Sequence, residues 1–177
     1  MKSSKSKSSV VAFFKVSTLV LSFFFFLSLT ADRPLLTITG TCLENAKPVE
    51  GVDVSIMVDG GVLTHNITGP DGKYKVKVNF GKLVKLAYEK KGYLTQTVKL
   101  RTVLNGLPET EMTTNYNLEM LALPSDTSQI YFDKSVDEIL FDNDLHKFVS
   151  NADYKERVKG DFDAVKKLIV DARMASK

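Results

Sequence analysis

KYKVKVNF, residues 73 to 80, alternates without a break: Tyr74, Val76, Val78 and Phe80 share one face, while Lys73, Lys75, Lys77 and Asn79 share the other. A period of two is what a half-buried strand requires, because successive side chains point to opposite faces of a sheet. Working outward, VDVSIMV (52 to 58) puts Val52, Val54, Ile56 and Val58 on one face, with Asp53, Ser55 and Met57 opposite. LTITGTC (36 to 42), GVLTHNI (61 to 67), LVKLAYE (83 to 89), TQTVKL (95 to 100) and NYNLEML (115 to 121) read the same way, so seven strands are predicted. Asp59-Gly60-Gly61, Gly69-Pro70-Asp71-Gly72, Gly81-Lys82 and Lys91-Gly92 punctuate them with turn chemistry. With no helical segment between the strands, the fold class is all-β, an antiparallel sandwich.

The GPDG stretch raises a choice between a ligand loop and a turn. Lysines at 73, 75 and 77 repel a cation where a calcium loop would place oxygens, so a hairpin turn is the expectation.

The two ends of the 177-residue chain differ from this middle. Lys2, Lys5, Lys7 and Lys15 stand without an acid ahead of VSTLVLSFFFFLSLTA (16 to 31), which carries no charge. A basic region, an apolar region and small residues in that order predict a signal peptide over 1 to 31, cleaved after Ala31. Retained, residues 10 to 31 would serve instead as a membrane anchor. Of the 24 basic residues those four lie in the leader, which leaves 20 against 21 acids, so the net charge of +3 belongs to the leader and points to no nucleic-acid partner. The expected location is the periplasm or cell surface.

After Pro124 the pattern changes, and residues 124 to 177 read as a partly helical tail. SVDEIL (135 to 140) offers Ser135 as an N-cap with Glu138 three residues on, predicting a short helix. Tyr154, Val158, Phe162, Val165, Ile169 and Ala172 fall on one helical stripe, which Gly160 is expected to split. That stripe suits packing on the sandwich, self-association or a different protein.

ITGTCLENAKPVEGVDVSI, then Thr68, Asp71-Gly72-Lys73-Tyr74 and GYLTQTVKL resemble the carboxypeptidase regulatory-like domain, a transthyretin-like β-sandwich. The matching positions are Gly40, Lys47, Pro48, Gly51, Val52, Val54, Thr68, Gly72, Tyr74, Gly92 and Tyr93, and the resemblance spans about residues 36 to 121. It departs at Cys42 and Val49. The tail, with YFDKSVDEILFDNDLHKF, resembles those of Gram-negative envelope proteins that carry this domain. The resemblance implies a single domain over 36 to 123 and specifies a fold without a site.

Candidate chemistry is sparse. The hydrolase branch of the transthyretin-like superfamily implies a His-Arg-His set and a C-terminal Tyr-Arg-Gly-Ser, neither of which stands here. His65 and His146 are too few and too distant for a zinc site, and read as an outward residue and a tail residue. Cys42, the one cysteine, falls on the Ile38 and Gly40 face as a buried thiol. Asn66-Ile67-Thr68 matches a glycosylation triplet, and Asp142-Asn143-Asp144 reads as a cap for a helix over LHKFV. The expectation is therefore no catalytic residue, no metal, no cofactor and no enzyme, but an envelope module that contacts a protein or glycan.

Overall fold

The computed structural model describes residues 34–104, 106, 108, 110–124 and 130–175; the predicted leader lies outside them. The described residues form β1 (Leu35–Glu44), β2 (Lys47–Pro48), β3 (Asp53–Val58), β4 (Gly61–Ile67), β5 (Lys73–Asn79), β6 (Leu83–Glu89), β7 (Gln96–Arg101), β8 (Met112–Asn115), β9 (Leu118–Glu119), β10 (Asp137–Asp142), β11 (Lys147–Ser150) and a helix, α1 (Ala152–Ala175). Two sheets carry the strands. In one, β1 is flanked by β2, β5, β8 and β9; the other runs β11-β10-β7-β6-β3-β4. The all-β sandwich expected from the alternation is the architecture observed.

Three details of that expectation change. Among the described residues there are eleven strands rather than seven. The predicted strand over 115 to 121 is two short ones, β8 and β9, and both run parallel to β1, as β10 does to β7, so the sheets are mixed rather than antiparallel. The GPDG turn forms, with the Gly72 amide donating to the Gly69 carbonyl at 2.9 Å, but it is not a hairpin. β4 and β5 lie in opposite sheets, and the turn carries the chain across the edge of the sandwich. Gly72 is obligatory there: its φ is +68°, and a Cβ would lie 2.7 Å from the Cys42 carbonyl oxygen.

The alternation of β5 is realised residue by residue, with Tyr74, Val76, Val78 and Phe80 buried and the lysines exposed. They meet Leu36 and Ile38 of β1 and, from the other sheet, Val54, Ile56, Leu86, Tyr88, Val98 and Leu100. At the centre Tyr74 and Tyr88 pack edge to face, centroids 5.6 Å apart. The Tyr74 hydroxyl donates to the Tyr116 carbonyl at 2.6 Å, so it accepts from the Tyr88 hydroxyl, 2.8 Å away. Gly40 permits this junction: a Cβ there would lie 1.8 Å from the Tyr116 carbonyl oxygen and 2.7 Å from the Tyr74 hydroxyl. Thr68 clamps the loop before β3, donating to the Val49 carbonyl at 2.7 Å and accepting from the Val52 amide at 2.9 Å.

The tail corrects two predicted helices. SVDEIL is strand β10: Asp137 and Ile139 turn inward, and the Ser135 hydroxyl pairs with that of Thr97 at 3.0 Å instead of capping. The apolar run Ile139-Leu140-Phe141 favours a sheet edge over an isolated helical turn. In LHKFV, Leu145 and His146 close a turn and Lys147 to Val149 are strand, because Phe148 packs on Phe80 and Phe141. Asp142 accepts from the Asp144 and Leu145 amides at 2.9 and 3.0 Å, closing the β10–β11 turn rather than capping a helix.

α1 begins at Asn151, whose side-chain oxygen accepts the Tyr154 amide at 3.2 Å. It continues through Gly160, correcting the expected split, since a penalty of about 1 kcal/mol is too small to break a helix held by packing. Its stripe is the predicted one: Tyr154, Val158 and Ile169 are buried, Phe162, Val165 and Ala172 half-buried, and the rest exposed. The stripe lies on the protein's own body, where the Tyr154 hydroxyl donates to the Ser135 carbonyl, Phe162 packs on Phe132 and Arg173 bonds the Ala122 carbonyl. Among the described residues no helix is long and apolar enough to cross a membrane.

Candidate functional site

Where α1 passes β9 and the chain on either side of it, a cleft of about 350 Å3 opens. Its sandwich wall is Gln96, Tyr116, Asn117, Leu118, Glu119 and Val136; its helix wall includes Lys155, Glu156, Val158, Lys159 and Phe162. The local fold explains each wall. Leu118 is buried in the core and Glu119 alternates outward, while Lys155, Lys159 and Lys166 flank the buried stripe of α1 at helical spacing.

Beneath the cleft lies a polar cluster centred on Asp137, which is fully buried. The Ser150 hydroxyl reaches both carboxylate oxygens, at 2.8 and 2.7 Å, the Glu138 amide donates at 2.8 Å, and the Lys155 ammonium stands 3.1 Å away. Burial pushes the Tyr116 phenol well above its ordinary value, and the neighbouring Asp137 carboxylate adds to the effect. Buried charges need partners of this kind, because an unpaired carboxylate out of water is strongly unfavourable. Lys155 is thereby fixed, and Lys166 is held by Asp163 at 3.2 Å.

The residues singled out from sequence lie elsewhere. His65 is exposed on β4 with Nδ1 3.2 Å from Asp53, and His146 sits in the β10–β11 turn at a φ of +50°. Cys42 is buried, and desolvation pushes its thiol up to about 12. Both polar side chains of the glycosylation triplet are engaged, Asn66 accepting the Lys75 amide at 3.1 Å and Thr68 clamping its loop. Among the described residues no three or more His, Cys, Asp and Glu side chains gather as a metal site would require. Sequence reasoning missed Gln96, Tyr116, Asp137 and the lysine flank. The 4-3-4 spacing of Lys155, Lys159, Phe162 and Lys166 was visible beside the apolar stripe; its meeting with Gln96 was not.

No protein-family model matches the chain, and no curated protein matches it. Solved structures are similar at a distance. Catechol 1,2-dioxygenase from an Acinetobacter species is 12% identical over 60% of this chain and 59% of that one, with a TM-score of 0.43. A DUF3823 family protein from Parabacteroides merdae is 15% identical over 51% of this chain and 48% of that one, with a TM-score of 0.39. Hydroxyquinol 1,2-dioxygenase from Pseudomonas putida is 10% identical over 52% and 58%, with a TM-score of 0.40. The chain spans less than two thirds of the length of each. These neighbours correct the expectation that the protein is no enzyme: that reading surveyed only histidine- and zinc-based constellations, and proteins similar to this one include dioxygenases. At such identity the likeness is one of distant fold, and it assigns no reaction, cofactor or residue role to this chain.

Proposed function

We propose that this is an exported binding module of the cell envelope, a carboxypeptidase regulatory-like sandwich of the transthyretin-like type, which takes a protein or glycan partner at the cleft between α1 and the sandwich. The observation that carries the reading is the cleft itself. It is concave, of ligand size, and sets apolar Leu118, Val136 and Val158 beside Gln96, Asn117 and Lys159, the mixture by which binding sites hold and orient a partner. The motif from Gly40 to Tyr93 supports the family reading, since Gly40, Thr68, Gly72 and Tyr74 each make a contact that only that residue type makes well. The basic-then-apolar order of residues 2 to 31 supports export.

The test is crosslinking capture from envelope fractions of the native host with the full chain, beside a Lys159→Trp variant that fills the cleft from an exposed helix position. A defined protein or glycan retained by the full chain and lost with the variant is the expected result; capture indifferent to the variant sinks the reading. A second reading, that residues 10 to 31 stay attached and anchor the sandwich to a membrane, is favoured by the uncharged stretch from Val16 to Ala31. Mass spectrometry of the native protein separates the two, since an N-terminus near Asp32 rules out the anchor.

A further inference from the structure

β4 ends the six-stranded sheet, and among the described residues no strand lies along its outer edge. An open edge presents unpaired amides and carbonyls, and proteins blunt it with charges, proline or side chains that occupy those groups. β5, which ends the other sheet, is blunted in this way. It carries Lys73, Lys75 and Lys77, and the side chains of Asp71 and Asn66 accept the amides of Lys73 and Lys75, each at 3.1 Å. β4 has no such guard: GVLTHNI holds no Asp, Glu, Lys, Arg or Pro, and Val62, Leu63 and Ile67 are 64, 52 and 61% exposed. Three large apolar side chains in water on an open edge mark an interaction surface.

The strand also describes its own partner. From Leu63 to Ile67 it reads apolar, polar, His65, polar, apolar, the same in either direction. Antiparallel strands related by a twofold axis meet in opposite order, so a strand matches itself when it reads alike both ways. With the axis at His65, Leu63 lies opposite Ile67 of the second copy, twice over, and Thr64 lies opposite Asn66. The faces agree as well: Thr64 and Asn66 are half-buried, whereas Leu63, His65 and Ile67 are exposed together on the other side. Leu63 falls out of the ladder with β3 where the register shifts, which limits the new ladder to these five residues. Charge does not oppose the pairing. Each His65 keeps its own Asp53 at 3.2 Å, and the two Asp53 residues stand three strand spacings apart, roughly 14 Å, beyond a Debye length of about 8 Å.

We infer that β4 pairs with β4 of a second copy, antiparallel about His65, and so joins two six-stranded sheets edge to edge. Three apolar side chains and a five-residue ladder per copy are less than a standard interface buries. The dimer is therefore weak, with a dissociation constant on the order of 100 µM.

Cysteine trapping of the full chain tests it, because the readout is position-specific and excludes association through the uncharged stretch of residues 16 to 31. Paired residues on antiparallel strands have Cα atoms about 4.5 to 5.5 Å apart, within disulfide range, and Cys42 is buried and does not compete. His65→Cys is expected to form an interchain disulfide that Lys85→Cys, exposed on β6, does not. A mixture of Leu63→Cys and Ile67→Cys should crosslink faster than either alone. Adding Ile67→Lys to His65→Cys, at a position exposed enough to spare the fold, should slow trapping about tenfold below the dissociation constant, since both Leu63–Ile67 pairs are lost. No more disulfide from His65→Cys than from Lys85→Cys overturns the self-pair and leaves the edge to a strand of another protein. Thr64→Cys trapped as fast as His65→Cys overturns the twofold at His65, and trapping indifferent to Ile67→Lys overturns the apolar pairing.

Discussion

The two sides of the sandwich are built on different physics. Around Gly40 the sheets meet dry: Leu36, Ile38, Val54, Ile56, Leu86 and Tyr88 are each without exposure, and the polar atoms present are phenols bonded to one another and to a carbonyl. Around Asp137 the tail is joined by ions and hydroxyls, through Lys155, Ser150, Lys134 with Asp161, and the Lys99 ammonium over the Tyr154 ring at 4.9 Å. The first kind of junction resists solvent and tolerates no added atom. The second keeps charged groups near a surface, which is why the cleft opens there.

High pH breaks the dry side most severely. Burial raises the phenols of Tyr74 and Tyr88 above the value of about 10 expected in the unfolded chain, so the fold favours their neutral forms. Their contribution is fully present below pH 10 and is lost above it, as the unfolded chain releases protons that the folded chain retains. Absorbance at 295 nm and far-UV circular dichroism, followed together from pH 9 upward, should show these tyrosines ionising only as the strands melt. Ionisation of all of them with the dichroism unchanged would mean that the centre is wet.

Adding one carbon is the next largest effect. Gly40→Ala places a methyl 1.8 Å from the Tyr116 carbonyl oxygen, and no flexible side chain is there to yield. A loss of about 3 kcal/mol or more is expected in urea denaturation, at the upper end for overpacking, because backbone must move. A loss under about 1 kcal/mol would show that β8 and β9 are held loosely against β1.

These outcomes bear on what the sequence made legible. Alternation in β5 and β3 identified the core, because a buried apolar face forces a period of two on its own strand. The stripe of α1 was legible for the same reason at a period of 3.6. Asp137 was not, since the partners that make a buried carboxylate tolerable, Ser150 and Lys155, come from another strand and a helix and leave no local pattern. SVDEIL and LHKFV misled because a capping signature is local, whereas the Val98 and Phe80 contacts that made them strands are not. The cleft inherits this difficulty, with Gln96 and Lys159 brought together only when α1 docks.

On the polar side the expected effects are smaller. Asp137→Ala leaves the Ser150 hydroxyl and the Glu138 amide without their acceptor, a cost of about 2 kcal/mol that falls mostly on the buried Glu138 amide, because Ser150 is exposed and water can replace its acceptor. The ion pair adds little, about 1 kcal/mol or less, because Lys155 is half-exposed and solvent screens it. Chemical denaturation at 0.1 and 1 M salt separates the two parts. A loss that vanishes at high salt would make the junction purely ionic, contrary to the hydrogen-bond account.

The smallest change, Gly160→Ala, addresses whether the two sides unfold as one. The added methyl meets nothing within 4 Å, so packing is untouched and only helix propensity changes, by about 1 kcal/mol in favour of the fold. That gain reaches the global melting temperature only when α1 unfolds in the same cooperative step as the sandwich, as expected from the burial of Tyr154, Val158 and Ile169. Calorimetry should then show a single transition shifted upward by a few degrees. Were α1 to melt on its own below the sandwich, the substitution would move a separate, earlier helical transition and leave the main one in place, and the Asp137 cluster would be a latch that opens before the fold does.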